Sequence, residues 1–142
     1  NGRGRQAVIT IAVTDKELRD KLSEVNNEIM GGPEGNDPFY GAPAILIVLA
    51  NKEVPTAPYD GSLVMGNLML AAHSLGLGSI WIHRAKEEFE MSEYQKLLKD
   101  LGIEGEWEGI GHCAVGYIDG ENPAAAPRWK NILGRVKGGI YE

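Results

Sequence analysis

The sequence predicts one layered α/β-type domain in which four strands alternate with three helices. Runs rich in β-branched residues alternate along the chain with amphipathic or apolar helical stretches, and Gly or Pro separates them. A length of 142 residues suits a single domain. At this size a chain buries roughly two thirds of its surface and needs no disulfide. No internal repeat or low-complexity linker interrupts the pattern, so residues 1–142 are treated as one domain.

The first strand and the first helix are predicted from consecutive local signals. Gln6–Val13 is rich in β-branched residues, which favour a strand. Thr14-Asp15-Lys16-Glu17 matches the capping box, so we expect a helix with Thr14 as its N-cap and Glu17 reaching back. Gly31 is expected to end this helix, and a loop over residues 34–42 follows it.

The middle of the chain combines a buried strand with an unusually apolar helix. Ala44–Ala50 is a continuous apolar run, which predicts a strand covered on both faces. After a loop over residues 51–58, a helix is expected over Ser62–Leu75. It is apolar on almost every side, and in so small a chain we expect a partner subunit to cover it. His73 on this helix is expected to be an interior or interface histidine.

A strand over Ser79–His83 is predicted to follow the apolar helix. Alternation along a strand would place Trp81 and His83 on one face, so residues 81–84, here called the ledge, could support a flat cofactor. The alternative is that Trp81 packs in the core, as a tryptophan in a strand usually does. The pattern Ser92-Glu93-Tyr94-Gln95 predicts another capped helix that closes at Gly102, and Ile110–Tyr117 predicts the last core strand.

Composition limits the classes of partner. The net charge of −6 argues against nucleic acid as the main partner. No apolar run approaches a membrane span, and we expect no signal peptide. The single cysteine excludes an internal disulfide framework and fits a reducing compartment such as the cytoplasm. Because the chain begins at Asn1 rather than Met, we expect a further segment upstream.

The basic residues concentrate at the two ends of an otherwise acidic chain. Residues 1–14 contain Arg3 and Arg5 and no acidic residue, and residues 128–142 contain four basic residues against Glu142. If the ends meet in the fold they make one anion site, whereas the alternative is two solvated tails.

The sequence offers no protein nucleophile, acid/base dyad or metal cluster. Two G-x-G-x-x-A matches, at Gly2 and Gly109, lack the preceding strand and following helix of a dinucleotide site. The three histidines are too scattered to bind a metal. Because successive side chains of a strand point to opposite faces, His112 and Cys113 do not form a Cys–His nucleophile. If the protein is an enzyme, a cofactor must therefore carry the chemistry.

Four segments, matched in order and spacing, resemble the nitroreductase-like FMN-dependent oxidoreductases. They are Asn1–Gln6, Tyr40–Pro43, Asp60–Ile82, and Cys113–Tyr117 followed by Pro127-Arg128. The apolar helix followed by Gly76-Leu77-Gly78 and Trp81 is the most specific part, and the resemblance covers essentially the whole chain.

The resemblance implies an α+β, three-layer fold with a central mixed, mostly antiparallel sheet flanked by helices. It also implies a homodimer with FMN at the interface and a tail, residues 119–142, that packs on the partner subunit. NAD(P)H would reduce the FMN in a ping-pong reaction, and a nitroaromatic, quinone or related small molecule would reoxidise it. Because the flavin carries the chemistry, no catalytic side chain is implied.

The resemblance assigns cofactor-binding residues by position. Backbone groups of Trp81, Ile82, His83 and Arg84 would run along the isoalloxazine ring near N5. Arg128, with Lys130, would hold the phosphate. The segment that would reach the partner's flavin consists of Asn1, Gly2, Arg3, Gly4 and Gln6.

Two departures from the family leave alternatives open. The family's N-terminal arginine-rich segment has no counterpart here, and Gly4 stands where many relatives carry Asn. One alternative is therefore an N-terminally truncated dimeric fragment with weak or no FMN binding and no activity. Another is a flavin enzyme of the same fold with a different reaction, such as dehalogenation or flavin cleavage.

Overall fold

A computed structural model describes residues 2–128, 136–137 and 140–141. The strands are β1 (Val8–Val13), β2 (Ala44–Asn51), β3 (Leu77–Ile82), β4 (Trp107–Tyr117), β5 (Val136–Lys137) and β6 (Ile140–Tyr141). The helices are α1 (Lys16–Met30), α2 (Ala57–Ser74), α3 (Ala85–Phe89) and α4 (Ser92–Asp100), and a short 3₁₀ turn spans Gly2–Gly4.

Four strands form a sheet in the order β1-β2-β4-β3, and β5 pairs with β6 in a separate two-stranded ribbon. Every pairing in the described sheet is antiparallel. With helices on both faces, this is the three-layer α+β architecture that the resemblance implies. β1 and β3 are the two edge strands, so the segments that flank them lie at opposite sides of the sheet.

Alternating residues of β2 supply the two halves of the core. Ile45, Ile47 and Leu49 pack with Leu22 of α1 and with side chains of α3 and α4. Val48 faces the other way and packs with Met65 of α2 and Cys113 of β4. The prediction that both faces of this strand are covered is confirmed. Burial raises the pKa of the Cys113 thiol, which suits a packing role.

A bulge in β4 directs two glycines to opposite faces of the sheet. Leu49 pairs with Gly109 and Val48 pairs with Gly111, so Ile110 is the extra residue. A Cβ on Gly109 would overlap the backbone carbonyl of Ala85, and one on Gly111 would overlap the Trp81 indole. These glycines therefore allow Ala85 and Trp81 to pack closely against β4. This packing role agrees with the rejection of a dinucleotide-binding fingerprint at Gly109.

Both predicted capping boxes are wrong. The N-cap of α1 is Asp15, whose carboxylate accepts a hydrogen bond from the Leu18 N–H at 2.9 Å, and not Thr14. At α4 the N-cap is Met91, with no side-chain cap, and Ser92 is the first helical residue. In each case a one-residue shift removes the hydroxyl from the capping position, since the N-cap must be extended and precede the first helical turn. The predicted end of α1 at left-handed Gly31 is confirmed.

Helices α2 and α3 also differ from the prediction. α2 begins at Ala57, five residues before the predicted Ser62, because Pro58 occupies the first turn, where a missing N–H costs nothing. α3 was not predicted; it is only five residues long and has no periodic signature of its own. The strands β1 and β4 differ from their predicted ranges only in the residue at which each strand begins.

One face of α2 is apolar and exposed in the single chain. Tyr59, Leu63 and Leu70 lie on one stripe at helical spacing, and the two leucines are 66% and 69% exposed. His73 is exposed as well, so its interior alternative is wrong and its interface alternative stays a prediction. Within the described residues, no helix is long and apolar enough to cross a membrane.

Candidate functional site

The ledge borders a cavity of about 320 Å³ at the end of edge strand β3. The opposite wall comes from the end of α1 and the loop that follows it. All four ledge residues line the cavity; the other lining residues are Met30, Asn36, Asp37, Pro38, Tyr40 and Ile80. Six of the ten lining residues are apolar or aromatic and four are polar or charged. The cavity therefore suits a flat, largely apolar ring approached by a few polar groups.

A buried asparagine fixes the chain direction at the ledge. Asn26, fully buried on α1, donates from Nδ2 to the His83 carbonyl at 2.9 Å and accepts at Oδ1 from Arg84 Nε at 2.9 Å. Arg84 adopts a left-handed conformation, with φ of 75°, that a non-glycine residue rarely adopts. The two hydrogen bonds hold the backbone in this turn, which ends β3 and begins α3.

One carboxylate organises the opposite wall. Asp37 accepts hydrogen bonds from Arg19 Nη2 at 2.5 Å and from Ser23 Oγ at 2.6 Å. It also accepts from the backbone N–H groups of Phe39 and Gly41. Burial alone would raise the pKa of Asp37, but these donors outweigh it and lower the pKa to about 2. The loop is thus tied to α1 by a carboxylate that stays ionised.

A buried acid–histidine pair lies behind the ledge. His112 Nε2 contacts Glu88 Oε2, and both side chains are 0% exposed. His112 is paired in register with Ile82 of the ledge, and Phe39 meets its ring edge-on at a centroid distance of 5.3 Å. The sequence analysis does not predict this buried pair. Glu88 and His112 are 24 positions apart, so no spacing motif could have revealed the pair.

The ledge differs in detail from its prediction. β3 ends at Ile82, so His83 lies beyond the strand and does not share a strand face with Trp81. Trp81 is half-buried against the hydrophobic cluster under α2 and also lines the cavity. It therefore packs in the core and also lies where a flat cofactor could contact it. Ile82 is buried on the opposite side of the sheet. The exposed His83 side chain reaches the cavity from the turn.

The N-terminal candidates lie apart from the ledge in the single chain. Gly2 sits beside the Thr56 side chain at the start of α2, and Arg3 and Gly4 are exposed. Gln6 precedes β1 at the other edge of the sheet and lines a separate cavity of about 440 Å³ with residues of α2. Gln6 and the ledge therefore lie at opposite edges of the four-stranded sheet.

Of the predicted phosphate-binding residues, Arg128 is described and exposed. Lys130 and Asn1 lie outside the described residues, as do residues 131–135, and the packing of 119–142 on a partner stays a prediction. No group of three potential metal ligands occurs within the described part of the chain.

The residues at the ledge fit the ring of a flavin. They combine an aromatic side chain, apolar walls and a backbone turn held rigid by Asn26. Arg3 and Arg5 precede β1, at the opposite edge of the sheet from this cavity. Arg84 is the cation that lines it.

Comparisons with a family model and with curated proteins both match this chain to nitroreductases. The model of the Nitroreductase family matches residues 1–117. A curated protein of Methanothermobacter thermautotrophicus, named as an NADH dehydrogenase/NAD(P)H nitroreductase, is 35% identical over 75 residues. That match covers 50% of this chain and 36% of the relative, so the matched segment spans about a third of the relative's length.

Solved structures share the fold over nearly the whole chain. A nitroreductase with bound FMN from Bacteroides fragilis superposes with a TM-score of 0.80 at 23% identity, covering 96% of this chain and 80% of that one. An FMN-dependent nitroreductase from Clostridium difficile gives 0.78 at 24% identity, with coverages of 95% and 81%. An iodotyrosine deiodinase bound to FMN and 3-iodo-L-tyrosine gives 0.70 at 22% identity, with coverages of 94% and 78%.

Proposed function

Because this chain belongs to the Nitroreductase family, we propose that it is an FMN-dependent oxidoreductase that uses NAD(P)H to reduce nitroaromatic, quinone or related acceptors. The observation that carries the proposal is the ledge cavity, where Trp81, Tyr40 and a rigid backbone turn surround a space suited to a flat ring. Bound FMN would supply the redox chemistry, accepting two electrons from the nicotinamide and delivering them to the acceptor.

The protein's part in this reaction is binding and orientation. We assign the backbone of residues 81–84 to the ring edge, because Asn26 holds that turn in one conformation. Arg128, together with Lys130, is assigned to the phosphate, and the segment from Asn1 to Gln6 is assigned to the flavin of the partner subunit. The position of Gln6 at the opposite sheet edge supports this division between subunits.

A homodimer is part of the proposal. The exposed stripe of Tyr59, Leu63 and Leu70 is the apolar surface that a second copy of α2 would cover. Burying one leucine side chain contributes about 1.5–3 kcal/mol, so covering the stripe on both subunits favours association. Leu63→Glu and Leu70→Glu should give monomers in light scattering, whereas Leu101→Glu, at a residue 53% exposed next to α4, should leave the dimer intact.

The first test of cofactor binding is the absorbance of the purified protein. Flavin bands equivalent to about one FMN per chain, before or after adding FMN, support the proposal. A colourless protein that takes up no FMN would instead favour the dimeric fragment without activity. Parallel double-reciprocal plots with NADH or NADPH and a quinone would establish the ping-pong order.

The phosphate assignment has its own test. Arg128→Ala should weaken FMN binding by about tenfold or more, because a charged hydrogen bond contributes about 1.5–3 kcal/mol. Arg135→Ala removes the same charge from the same tail and is the matched control. Equal FMN dissociation constants for the two variants would show that Arg128 does not hold the phosphate.

A further inference from the structure

Arg84 has no carboxylate partner among the described residues. Arg19, by contrast, pairs with both Asp20 and Asp37, and the lysines at 16, 21, 86 and 96 each pair with an acidic residue. Arg84 is only partly exposed, and a guanidinium in that position normally has a counter-charge. Its one hydrogen bond to a described residue is neutral, from Nε to Asn26.

The geometry leaves the far end of the guanidinium available. Nε is occupied by the Asn26 carboxamide, and Asn26 is itself buried and anchored to the His83 carbonyl. The two terminal nitrogens remain, and such a pair binds a carboxylate through two parallel hydrogen bonds. Because the Nε contact restricts the side chain in advance, less conformational entropy is lost when an anion binds.

The cavity beside Arg84 is shaped for an aromatic group. Tyr40 and Trp81 line it, and Tyr40 is 77% exposed. Tyr40 also has a left-handed backbone, with φ of 53°, so both left-handed residues of this cavity are non-glycine. Such conformations persist only where surrounding contacts enforce them, and they concentrate at ligand-binding positions.

The charge balance of the cavity favours an anion. Asp37 is its acidic lining residue, and four donors, including the Arg19 guanidinium, already satisfy that carboxylate. His83 and Arg84 are the remaining titratable side chains of the lining apart from Tyr40.

We propose that Arg84, oriented by Asn26, binds the carboxylate of an aromatic acid that shares this cavity with the bound flavin ring, and so selects acceptors that carry an anionic group. The inference rests on the proposed function only in calling the ligand an acceptor. Arg84 is then a specificity-determining residue whose backbone serves the flavin and whose side chain serves the substrate.

Binding is tested by calorimetric titration of the purified protein, with and without added FMN, using benzoate and benzamide as isosteric probes. The wild type should bind benzoate about tenfold more tightly than benzamide, as expected for one charged, bidentate contact. Arg84→Gln should reduce this preference to less than about twofold, and Arg84→Lys should retain part of it. Lys86→Gln removes a charge two residues away, outside the cavity lining, and should retain the full preference.

Two asparagines provide a second matched pair. Asn26→Ala releases the guanidinium and should lower the preference severalfold. Asn51→Ala removes a hydrogen bond from the Glu53 N–H, outside the cavity lining, and should leave the preference unchanged in folded protein. This pair keeps the test decisive if Arg84→Gln does not fold.

The inference is overturned if wild type shows no preference, or if Arg84→Gln keeps it. It is also overturned if Arg84→Gln weakens FMN binding but not riboflavin binding, because Arg84 would then hold the cofactor phosphate. Turnover separates the two proposals: 4-nitrobenzoate with NAD(P)H and a proton gives the nitroso product, NAD(P)⁺ and water. Failure of that reaction with both NADH and NADPH, in a protein that prefers benzoate to benzamide, would contradict the proposed function alone.

Discussion

The buried pair of Glu88 and His112 yields the sharpest stability prediction. Both side chains are 0% exposed, and Glu88 Oε1 and His112 Nδ1 have no hydrogen-bond partner among the described residues. Each side chain therefore depends on the other for compensation of its burial. Removing one partner leaves the other buried and unpaired, which we expect to cost about 3–5 kcal/mol in the free energy of unfolding.

Replacing both partners should cost far less. Glu88→Met combined with His112→Leu puts apolar side chains of comparable volume in an already apolar region, where Phe39 and Ile82 are neighbours. Exchanges of this kind are commonly neutral or stabilising. We expect the double variant to lie within about 1–2 kcal/mol of wild type, so the coupling energy between the two sites should be several kcal/mol.

Urea unfolding followed by far-UV circular dichroism, at one fixed protein concentration, measures all four members of the cycle. The exposed pair Lys96–Asp100 on α4 is the control, and its coupling energy should be near zero. Single replacements that each cost less than about 1 kcal/mol would refute the reasoning. So would a double variant whose loss equals the sum of the single losses.

Three further changes test local features by unfolding measurements. Asp15→Ala should lower the free energy of unfolding by about 1 kcal/mol and Thr14→Ala by much less, because only Asp15 caps α1. Equal losses for the two variants would show that Thr14 also caps the helix. Asp37 has a folded pKa of about 2, below its unfolded value of 3.8, so its stabilisation is present above pH 4 and lost toward pH 2. The stability difference between wild type and Asp37→Asn should therefore shrink over that interval. Gly109→Ala should destabilise by several kcal/mol, because the new Cβ overlaps the Ala85 carbonyl; an unchanged melting temperature would contradict that contact.

The elements that sequence predicted well are those with strong local signals. The apolar run that became β2 and the glycine that ends α1 are specified by a few consecutive residues. The capping prediction for α1 failed because the neighbouring residues Thr14 and Asp15 are both competent caps, and the helix begins one residue later than the capping-box match implies. α3 failed because five residues are too few to establish a period.

The site was predicted in part, and the limit is physical. The ledge could be located because its aromatic and basic residues are consecutive in sequence. Asn26 and Asp37 fix the two walls of the cavity through contacts between residues far apart in sequence. The partners of Asn26 are 57 and 58 positions away, and the side-chain partners of Asp37 are 14 and 18 positions away. An asparagine in the middle of an amphipathic helix carries no signal that distinguishes a buried anchor from a solvated residue.

The two glycines of the β4 bulge also determine how the site can move. Trp81 packs against Gly111 on one face of the sheet, and the start of α3 packs against Gly109 on the other face. The ledge is thus clamped to the central strand from both sides and should behave as one rigid body with the sheet. The facing loop turns through Gly35 and Gly41, both in the left-handed region. Because Asp37 ties that loop to α1, both walls of the cavity are anchored, and the cavity should keep its shape when a ligand binds.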